Sequence, residues 1–315
     1  MKAVQFSQPG EPEVLQLQEA PDPTPQPGQV LVVVKATTVN RLDLFQRDGS
    51  RPVPRLPFTP GLEAAGVVLH DAEGFKEGER VLTTRAQEGT SSGGYAGTLA
   101  VPAANLIRIP DDVSFEQAVA AGLASSTAYA SLFDLGHLQA GERVLIWAGS
   151  SGVGTIAIQL AKQAGAWVAT TSGSEERAAE LRKLGADLVI NYRQQDLPKL
   201  LQSLGGVNLV IELVSSTLQS SIEACAPAGR VVLIGNLGGQ QATVDTQAWR
   251  LKRVTVIGGG VLRTSQENEQ RILELIAQKS ITPVIAHAMP VAQAAEAHRL
   301  LASGTPQGKI VLHHG

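Results

Sequence analysis

The chain has 315 residues, of which 43% are hydrophobic and 17% charged, a composition that suits about two globular domains with sizeable cores. Its formal net charge is −3 and its longest basic cluster is Arg250, Lys252 and Arg253, so a nucleic-acid partner is not expected. The single cysteine, Cys225, excludes an intrachain disulfide and a cysteine-rich zinc knuckle. Without an export signal or a stretch of about 18 apolar residues, we expect a cytoplasmic protein that makes no membrane contact.

The first third of the chain predicts a rolled or barrel-like sheet, because short β-branched runs alternate there with turns rich in Pro and Gly. The expected strands are 29–36, 63–69, 80–84 and 95–101. A helix is expected over 115–135, where Ala and Ser recur at helical spacing.

From residue 143 onward, buried strands are spaced by helices, which indicates a parallel sheet covered on both faces. The expected strands are 143–148, 167–171, 187–190, 208–213, 230–234 and 254–257. The expected helices are 153–164, 174–184, 197–204, 217–226 and 245–251. Six strands in this order predict a doubly wound, Rossmann-type dinucleotide-binding domain, so the fold class is α/β.

The end of the chain predicts helices at 266–278 and 291–301 and strands at 282–286 and 308–312. We expect this tail to complete the first domain. That domain is then discontinuous, residues 1–122 plus 262–315, with residues 123–261 inserted as the Rossmann domain.

A glycine-rich turn joins the first of the six strands to its helix. It consists of Gly149, Ser150, Ser151, Gly152, Val153 and Gly154. Such a turn lets a helix N-terminus bind a pyrophosphate, although Ser151 replaces the second glycine of the usual fingerprint. A structural turn is the alternative interpretation, which the flanking strand and helix disfavour. A hydrolase elbow centred on Ser151 fails because Val153 stands where glycine is required.

The end of the next strand predicts the nucleotide. NAD sites usually place an acid there to bind the ribose 2′-hydroxyl, but this chain has Ser172 and Gly173. Glu175 and Glu176 fall in the first turn of the following helix, where the helix dipole favours acids, and Arg177 can form a fork onto a phosphate. We therefore expect NADPH. The alternative is that Arg177 is a solvated helix residue.

Motifs along the whole chain resemble the zinc-independent quinone oxidoreductase branch of the medium-chain dehydrogenase/reductase superfamily, the branch that includes zeta-crystallin. They occur in the family's order, from Gly10-Glu-Pro-Glu-Val-Leu15 and Val39-Asn40-Arg-Leu-Asp43 through Pro60-Gly-Leu-Glu63-Ala-Ala-Gly66 to Ile190-Asn-Tyr192 and Gly308-Lys-Ile-Val311. The resemblance implies a GroES-like, β-rich catalytic domain beside the Rossmann domain. It also implies a homodimer formed through the edge strand from Val254 to Val261, an edge that would otherwise favour aggregation.

The resemblance also implies roles for single residues. Gly152, Val153 and Gly154 would bind the pyrophosphate, and Ser172, Gly173, Arg177 and Tyr192 would lie near the 2′-phosphate. Thr127, Gly235, Asn236 and Lys309 would lie along the nicotinamide half, with a surface position as the alternative for Lys309.

No metal is expected, because the zinc-ligand positions of related dehydrogenases read Asn40 and Leu62-Glu63 here. Without zinc, acceptors that need little electrophilic help fit best, which favours quinones or related activated carbonyl compounds. On this hypothesis Asn40 and Asp43 position the acceptor or nicotinamide, and Arg47 stabilises negative charge on the reduced product. Turn stabilisation is the alternative role for these side chains.

Two family tyrosines are replaced by Phe45 and Arg51, which removes their phenols as proton donors. This weakens the resemblance to 2-enoyl-thioester reductases, which use a tyrosine at the position of Arg51. Reduction of α,β-unsaturated aldehydes or ketones is the alternative activity. A cofactor-binding crystallin or RNA-binding protein with negligible turnover is the alternative outside enzymes, and the acidic balance disfavours RNA.

Overall fold

The computed structural model describes residues 1–89, 92–260 and 262–314. The strands are β1 (Lys2–Gln5), β2 (Gln16–Glu19), β3 (Gln29–Thr38), β4 (Ala64–Val68), β5 (Arg80–Thr83), β6 (Thr98–Pro102), β7 (Ile107–Arg108), β8 (Arg143–Ile146), β9 (Trp167–Ser172), β10 (Leu188–Asn191), β11 (Val207–Glu212), β12 (Cys225–Leu233), β13 (Thr255–Gly258), β14 (Ile285–Pro290) and β15 (Lys309–His313). The helices are α1 (Arg41–Asp48), α2 (Phe115–Tyr129), α3 (Gly152–Gln163), α4 (Glu175–Lys183), α5 (Leu197–Ser203), α6 (Leu218–Ala224), α7 (Thr246–Lys252), α8 (Gln266–Ala277) and α9 (Ala294–Ser303). No helix in these ranges is long and apolar enough to cross a membrane.

The chain divides into two compact units. The first consists of Met1–Leu123 and Gln266–Gly315, and the second of Ala124–Ser265. The sequence placed the two divisions at 122/123 and 261/262, and Val261 lies outside the described residues.

The first unit is built on a sheet with strand order β14-β15-β3-β4-β5-β7, in which β6 also pairs with β3. Strand β3 is long because its β-branched run alternates between buried and less buried positions, as a strand with one face on a core requires. Its buried valines pack into one apolar cluster with β4, β5 and β6. Strand β15, from the far end of the chain, pairs antiparallel with β3 and joins the two segments of this unit. The expected GroES-like fold is confirmed.

The second unit has a parallel sheet with strand order β10-β9-β8-β11-β12-β13. This is the doubly wound order in which the direction of winding reverses between β8 and β11, and ligands bind beyond the carboxyl ends of strands at such a reversal. Its core contains apolar side chains from the central strands and from α5 and α6. The predicted Rossmann-type domain is confirmed.

Several predicted boundaries were wrong. Helix α2 is broken at Gly122, where φ is −9° and ψ is −107°, and a π-helix at Ala130–Leu135 continues it. Strand β12 begins at the buried Cys225, which the sequence placed inside a helix. Strand β14 begins at Ile285, three residues later than predicted, because its pairing with β15 determines where it starts.

Candidate functional site

The turn after β8 has the geometry of an anion-binding helix N-terminus. Ser151 caps α3 and its hydroxyl accepts a hydrogen bond from the Gly154 N–H at 3.0 Å. A Cβ on Gly149 would lie 2.1 Å from Thr170 Oγ1, and one on Gly154 would lie 2.5 Å from the Ala148 oxygen. Glycine is therefore required at both positions by close packing. The residues that follow Gly149, namely Ser150, Ser151, Gly152 and Val153, are partly exposed.

The last residues of β9 and the two that follow it, Thr170 to Ser174, include no acid. The Ser172 hydroxyl donates to the Ser174 carbonyl at 2.8 Å, and Ser174 in turn caps α4 by accepting from the Arg177 N–H. Glu175, in the first turn of α4, is engaged by Arg182 at 2.6 Å. The end of the strand thus offers hydroxyl and amide groups and no acid.

Gly173 brings a second basic residue into this region. A Cβ on Gly173 would lie 2.9 Å from the Tyr192 hydroxyl and 3.4 Å from Arg193 Nε. The guanidinium of Arg193 lies 5.8 Å from the centre of the Tyr192 ring. The structure thus brings Ser172, Gly173 and Tyr192 together. Arg193 was not predicted from the sequence, although its place directly after Tyr192, just beyond the end of β10, was a usable signal.

Buried Glu212 organises the loops after β11 and β12. Its carboxylate accepts from the Val214 and Ser215 N–H groups and from two hydroxyls. The Ser215 hydroxyl then donates to the Gly235 carbonyl at 2.6 Å, and a Cβ on Gly235 would lie 2.2 Å from the Leu213 oxygen.

Two more expected cofactor residues lie elsewhere in the same unit. The Asn236 carbonyl accepts from Gly239 N–H in the loop after β12. The Thr127 hydroxyl donates to the Leu262 carbonyl at 3.2 Å. Asn236 is thus held within its own loop, whereas the Thr127 side chain contacts the main chain of the segment that follows β13.

In the first unit, residues far apart in sequence form a buried polar network. Lys309 Nζ donates to Asn40 Oδ1 at 2.6 Å and to Glu63 Oε1 at 3.1 Å. Asn40 Nδ2 donates to the same Glu63 oxygen at 3.1 Å and to Thr38 Oγ1 at 3.2 Å. The Thr38 hydroxyl also donates to Glu63 Oε1. Lys309 is therefore not a surface residue: it is 7% exposed, and Glu63 is 0% exposed.

The second oxygen of Glu63 lies at the break in α2. It accepts a hydrogen bond from the Leu123 N–H at 2.5 Å, and a Cβ on Gly122 would lie 2.3 Å from it. From the sequence, Glu63 was noted only at a zinc-ligand position of related dehydrogenases, and its place at the helix break was not predicted. The sequence signal was a charged residue within an otherwise apolar run.

Asp43 lies beneath this network and is fully buried. One carboxylate oxygen accepts from the Asn40 N–H at 2.8 Å and the other from the Gly61 N–H at 2.9 Å. Burial raises the pKa of Asp43 to about 7. This geometry corresponds to the alternative of turn stabilisation, because both oxygens are bound to the main chain.

Arg47 faces another part of the same interior. The side chain is 8% exposed, and its Nε has no hydrogen-bond partner among the described residues. Burial, helped by the charge of Arg47, lowers the pKa of His298 to about 3, and the His298 Nε2 lies 3.0 Å from the Tyr95 hydroxyl. Across ranges 1–89, 92–260 and 262–314, no hydrogen bond or ion pair joins Arg47 to Asn40 or Lys309.

No group of three or more His, Cys, Asp or Glu side chains that could hold a metal ion occurs in the described part of the chain.

Comparisons with known proteins match both units. The alcohol dehydrogenase GroES-like domain matches residues 26–111, and the zinc-binding dehydrogenase family matches residues 152–278. The chain is 34% identical to the quinone oxidoreductase of Lama guanicoe over an alignment of 328 positions, gaps included. The alignment covers 99% of this chain and 97% of that protein.

Two solved structures are also similar along the whole chain. The Escherichia coli quinone oxidoreductase complexed with NADPH has a TM-score of 0.91 at 31% identity, with 99% of this chain and 100% of that one covered. An NAD-dependent alcohol dehydrogenase has a TM-score of 0.93 at 31% identity, with both chains covered completely.

Proposed function

The chain belongs to the quinone oxidoreductase branch of the medium-chain dehydrogenase/reductase superfamily, and from this we propose that it reduces quinones or related activated carbonyl compounds with NADPH. It is an NADPH-dependent enzyme of the quinone oxidoreductase type. The observation that carries the choice of cofactor is the end of β9, where Ser172 and Gly173 stand in place of an acid and lie beside Tyr192 and Arg193.

The residues of the second unit fit NADPH. The amides of Gly152 and Val153, which are partly exposed, would hold the pyrophosphate at the N-terminus of α3, whereas the Gly154 N–H already donates to the Ser151 hydroxyl. Two further sets of residues would hold the rest of the cofactor. The 2′-phosphate would be met by Ser172, Gly173, Arg177, Tyr192 and Arg193, and the loops that carry Thr127, Gly235 and Asn236 would serve the nicotinamide half. When bound, NADPH supplies a hydride to the acceptor.

Although one matching family is that of zinc-binding dehydrogenases, we propose that the reaction proceeds without zinc. Asn40 and Leu62 supply neither a thiolate nor an imidazole at the former ligand positions. The Asn40 and Glu63 oxygens already bind the Lys309 ammonium, whose positive charge opposes a metal cation. The residues present therefore do not fit a zinc ion.

Acceptor choice is tested by steady-state NADPH oxidation with 1,4-benzoquinone, 9,10-phenanthrenequinone, a 2-alkenal and crotonyl-CoA in parallel. We expect the highest kcat/KM with the two quinones, and unchanged rates after dialysis against 1,10-phenanthroline. Turnover confined to the alkenal or the thioester would reject the quinone proposal in favour of alkene reduction. Loss of rate that zinc restores would reject the zinc-free reaction.

We also propose that two copies of the chain associate through β13. This strand ends the order of the parallel sheet, so among the described residues only β12 pairs with it. Its Val256 and Ile257 are half-buried. An apolar edge of this kind is otherwise a template for aggregation, so pairing with its copy would protect it. Val261, which the expected edge also included, lies outside the described residues.

A further inference from the structure

We propose that Lys309 is the hydrogen-bond donor that stabilises the reduced oxygen of the acceptor, and that Glu63 and Asn40 hold its ammonium group in place. The inference rests on the proposed quinone reduction, and it gives Lys309 and Asn40 roles different from those that the sequence suggested. It follows from the direction of each hydrogen bond in the network.

The Asn40 carboxamide has a defined orientation. A lysine ammonium has three N–H donors and no acceptor, so the Asn40 atom 2.6 Å from Lys309 Nζ must be the oxygen. The Asn40 nitrogen then faces Glu63 Oε1 and Thr38 Oγ1, and these two contacts use both of its N–H groups. Asn40 is left with acceptor capacity alone, so it cannot donate to a carbonyl oxygen of an incoming quinone.

Lys309 retains one N–H donor. Its Nζ donates two of three N–H groups to Asn40 Oδ1 and Glu63 Oε1, and no further hydrogen bond of Nζ is found within the described residues. In this network the Lys309 ammonium is therefore the group with an N–H left to donate.

Both carboxylate oxygens of Glu63, which holds the Lys309 ammonium, are hydrogen-bonded. Glu63 Oε1 receives hydrogen bonds from Thr38, Asn40 and Lys309, while its other oxygen is held by the Leu123 N–H. Hydrogen bonds to both carboxylate oxygens and burial therefore hold the Glu63 side of the ion pair in place. The pair is neutral overall, so the interior carries the ammonium without an uncompensated charge.

The role of this ammonium follows from the charge that the reaction creates. If a quinone accepts a hydride, with its two electrons, from NADPH, the products are the hydroquinone monoanion and NADP⁺. Lys309 donates its remaining N–H to the oxyanion, and water then supplies the proton that completes the hydroquinone. A fixed donor aimed at a developing oxyanion in a buried site is typically worth about a hundredfold in rate.

The test compares wild type with Lys309→Met and with the double variant Glu63→Gln/Lys309→Met, which keeps the interior neutral. Lys309→Arg retains a donor, and Lys76→Met removes an exposed lysine paired with Asp71 at 2.8 Å. For each protein, kcat is measured with 1,4-benzoquinones whose hydroquinones differ in pKa, NADPH Kd is measured by fluorescence, and folding is checked by thermal melting.

We expect both methionine variants to lose about a hundredfold in kcat, and to depend more steeply on hydroquinone pKa, with NADPH Kd within twofold of wild type. We expect Lys309→Arg to keep kcat within about tenfold, and Lys76→Met to match wild type. If Lys309→Met does not fold, the double variant and the arginine variant carry the test.

Three outcomes overturn the inference. Unchanged kcat, or an unchanged dependence on hydroquinone pKa, in an active wild-type background rejects Lys309 as the oxyanion donor. Weaker NADPH binding by the same factor as the loss in kcat makes Lys309 a cofactor residue instead. If the wild-type protein reduces none of the quinones with NADPH, the proposed function is rejected, and the inference with it.

Discussion

Asp43 and His298 are buried in the same unit, and burial moves their pKa values in opposite directions. The pKa of Asp43 rises from 3.8 to about 7, so the native state holds a proton that the unfolded chain has lost. Its contribution to the free energy of unfolding therefore falls as pH rises from about 4 to about 7. The pKa of His298 falls from 6.5 to about 3. The contribution of His298 to the free energy of unfolding therefore rises as pH rises from about 3 to about 6.5.

The two side chains should therefore offset each other in wild type between about pH 4 and pH 6.5. We expect His298→Gln to lose stability as pH rises across this range and Asp43→Asn to gain it, each by up to about 1.4 kcal/mol per pH unit relative to wild type. Urea unfolding at several pH values measures this, with the exposed His70→Gln as control. If the free energy of unfolding varies with pH in the same way in all four proteins, the pKa of neither Asp43 nor His298 changes on folding.

Arg177 and Arg193 provide the second prediction at the scale of single residues. If they bind the 2′-phosphate, replacing either one with alanine should raise the Kd for NADPH by about 10- to 100-fold and leave the Kd for NADH nearly unchanged. Isothermal calorimetry with both nucleotides measures the difference. Arg182→Ala, in the same helix but engaged with Glu175, is the matched control. Equal weakening of both nucleotides would refute the phosphate assignment.

At the scale of elements, the β8–α3 turn depends on glycine because backbone and side chains approach it closely. We expect Gly149→Ala to destabilise the protein by about 1–3 kcal/mol and to weaken NADPH binding, since its Cβ would lie 2.1 Å from Thr170 Oγ1. A Cβ on Gly260 would have no atom within 4 Å, so Gly260→Ala should change stability and NADPH binding little. Thermal melting and NADPH titration check both variants. An alanine at 149 that is tolerated as well as one at 260 would contradict the packing argument.

The elements also show where patterns in sequence lose their predictive power. The six strands of the second unit were predicted because buried β-branched runs alternating with helices are a local, repeated signal. The break in α2 was not, because it depends on the Glu63 carboxylate, which lies against Gly122 and accepts from Leu123 N–H. A helix that is continuous by its own pattern is interrupted here by a distant side chain.

At the scale of the whole molecule, assembly through β13 can be tested by charge. If two copies pair through β13, we expect Ile257→Lys to give a monomer, because a lysine buried on the paired edge would leave its charge without water. Leu251→Lys, at a 65% exposed position outside the strand, should leave the mass unchanged. Sedimentation velocity or light scattering measures the mass. A dimeric Ile257→Lys protein, or a monomeric wild type, would place the contact elsewhere or abolish it.

The sequence by itself determined the α/β class, the strand–helix alternation, the glycine-rich turn before α3 and the presence of Ser172 and Gly173 where an acid is usual in NAD sites. These are local properties, since periodicity, glycine spacing and strand ends are contained within short segments. Only the tertiary structure decided that Lys309 meets Asn40 and Glu63, across 269 and 246 residues, and that Asp43 binds the main chain. Hydrogen-bond partners so far apart are selected by the pairing of β15 with β3 and by burial, and neither leaves a local pattern.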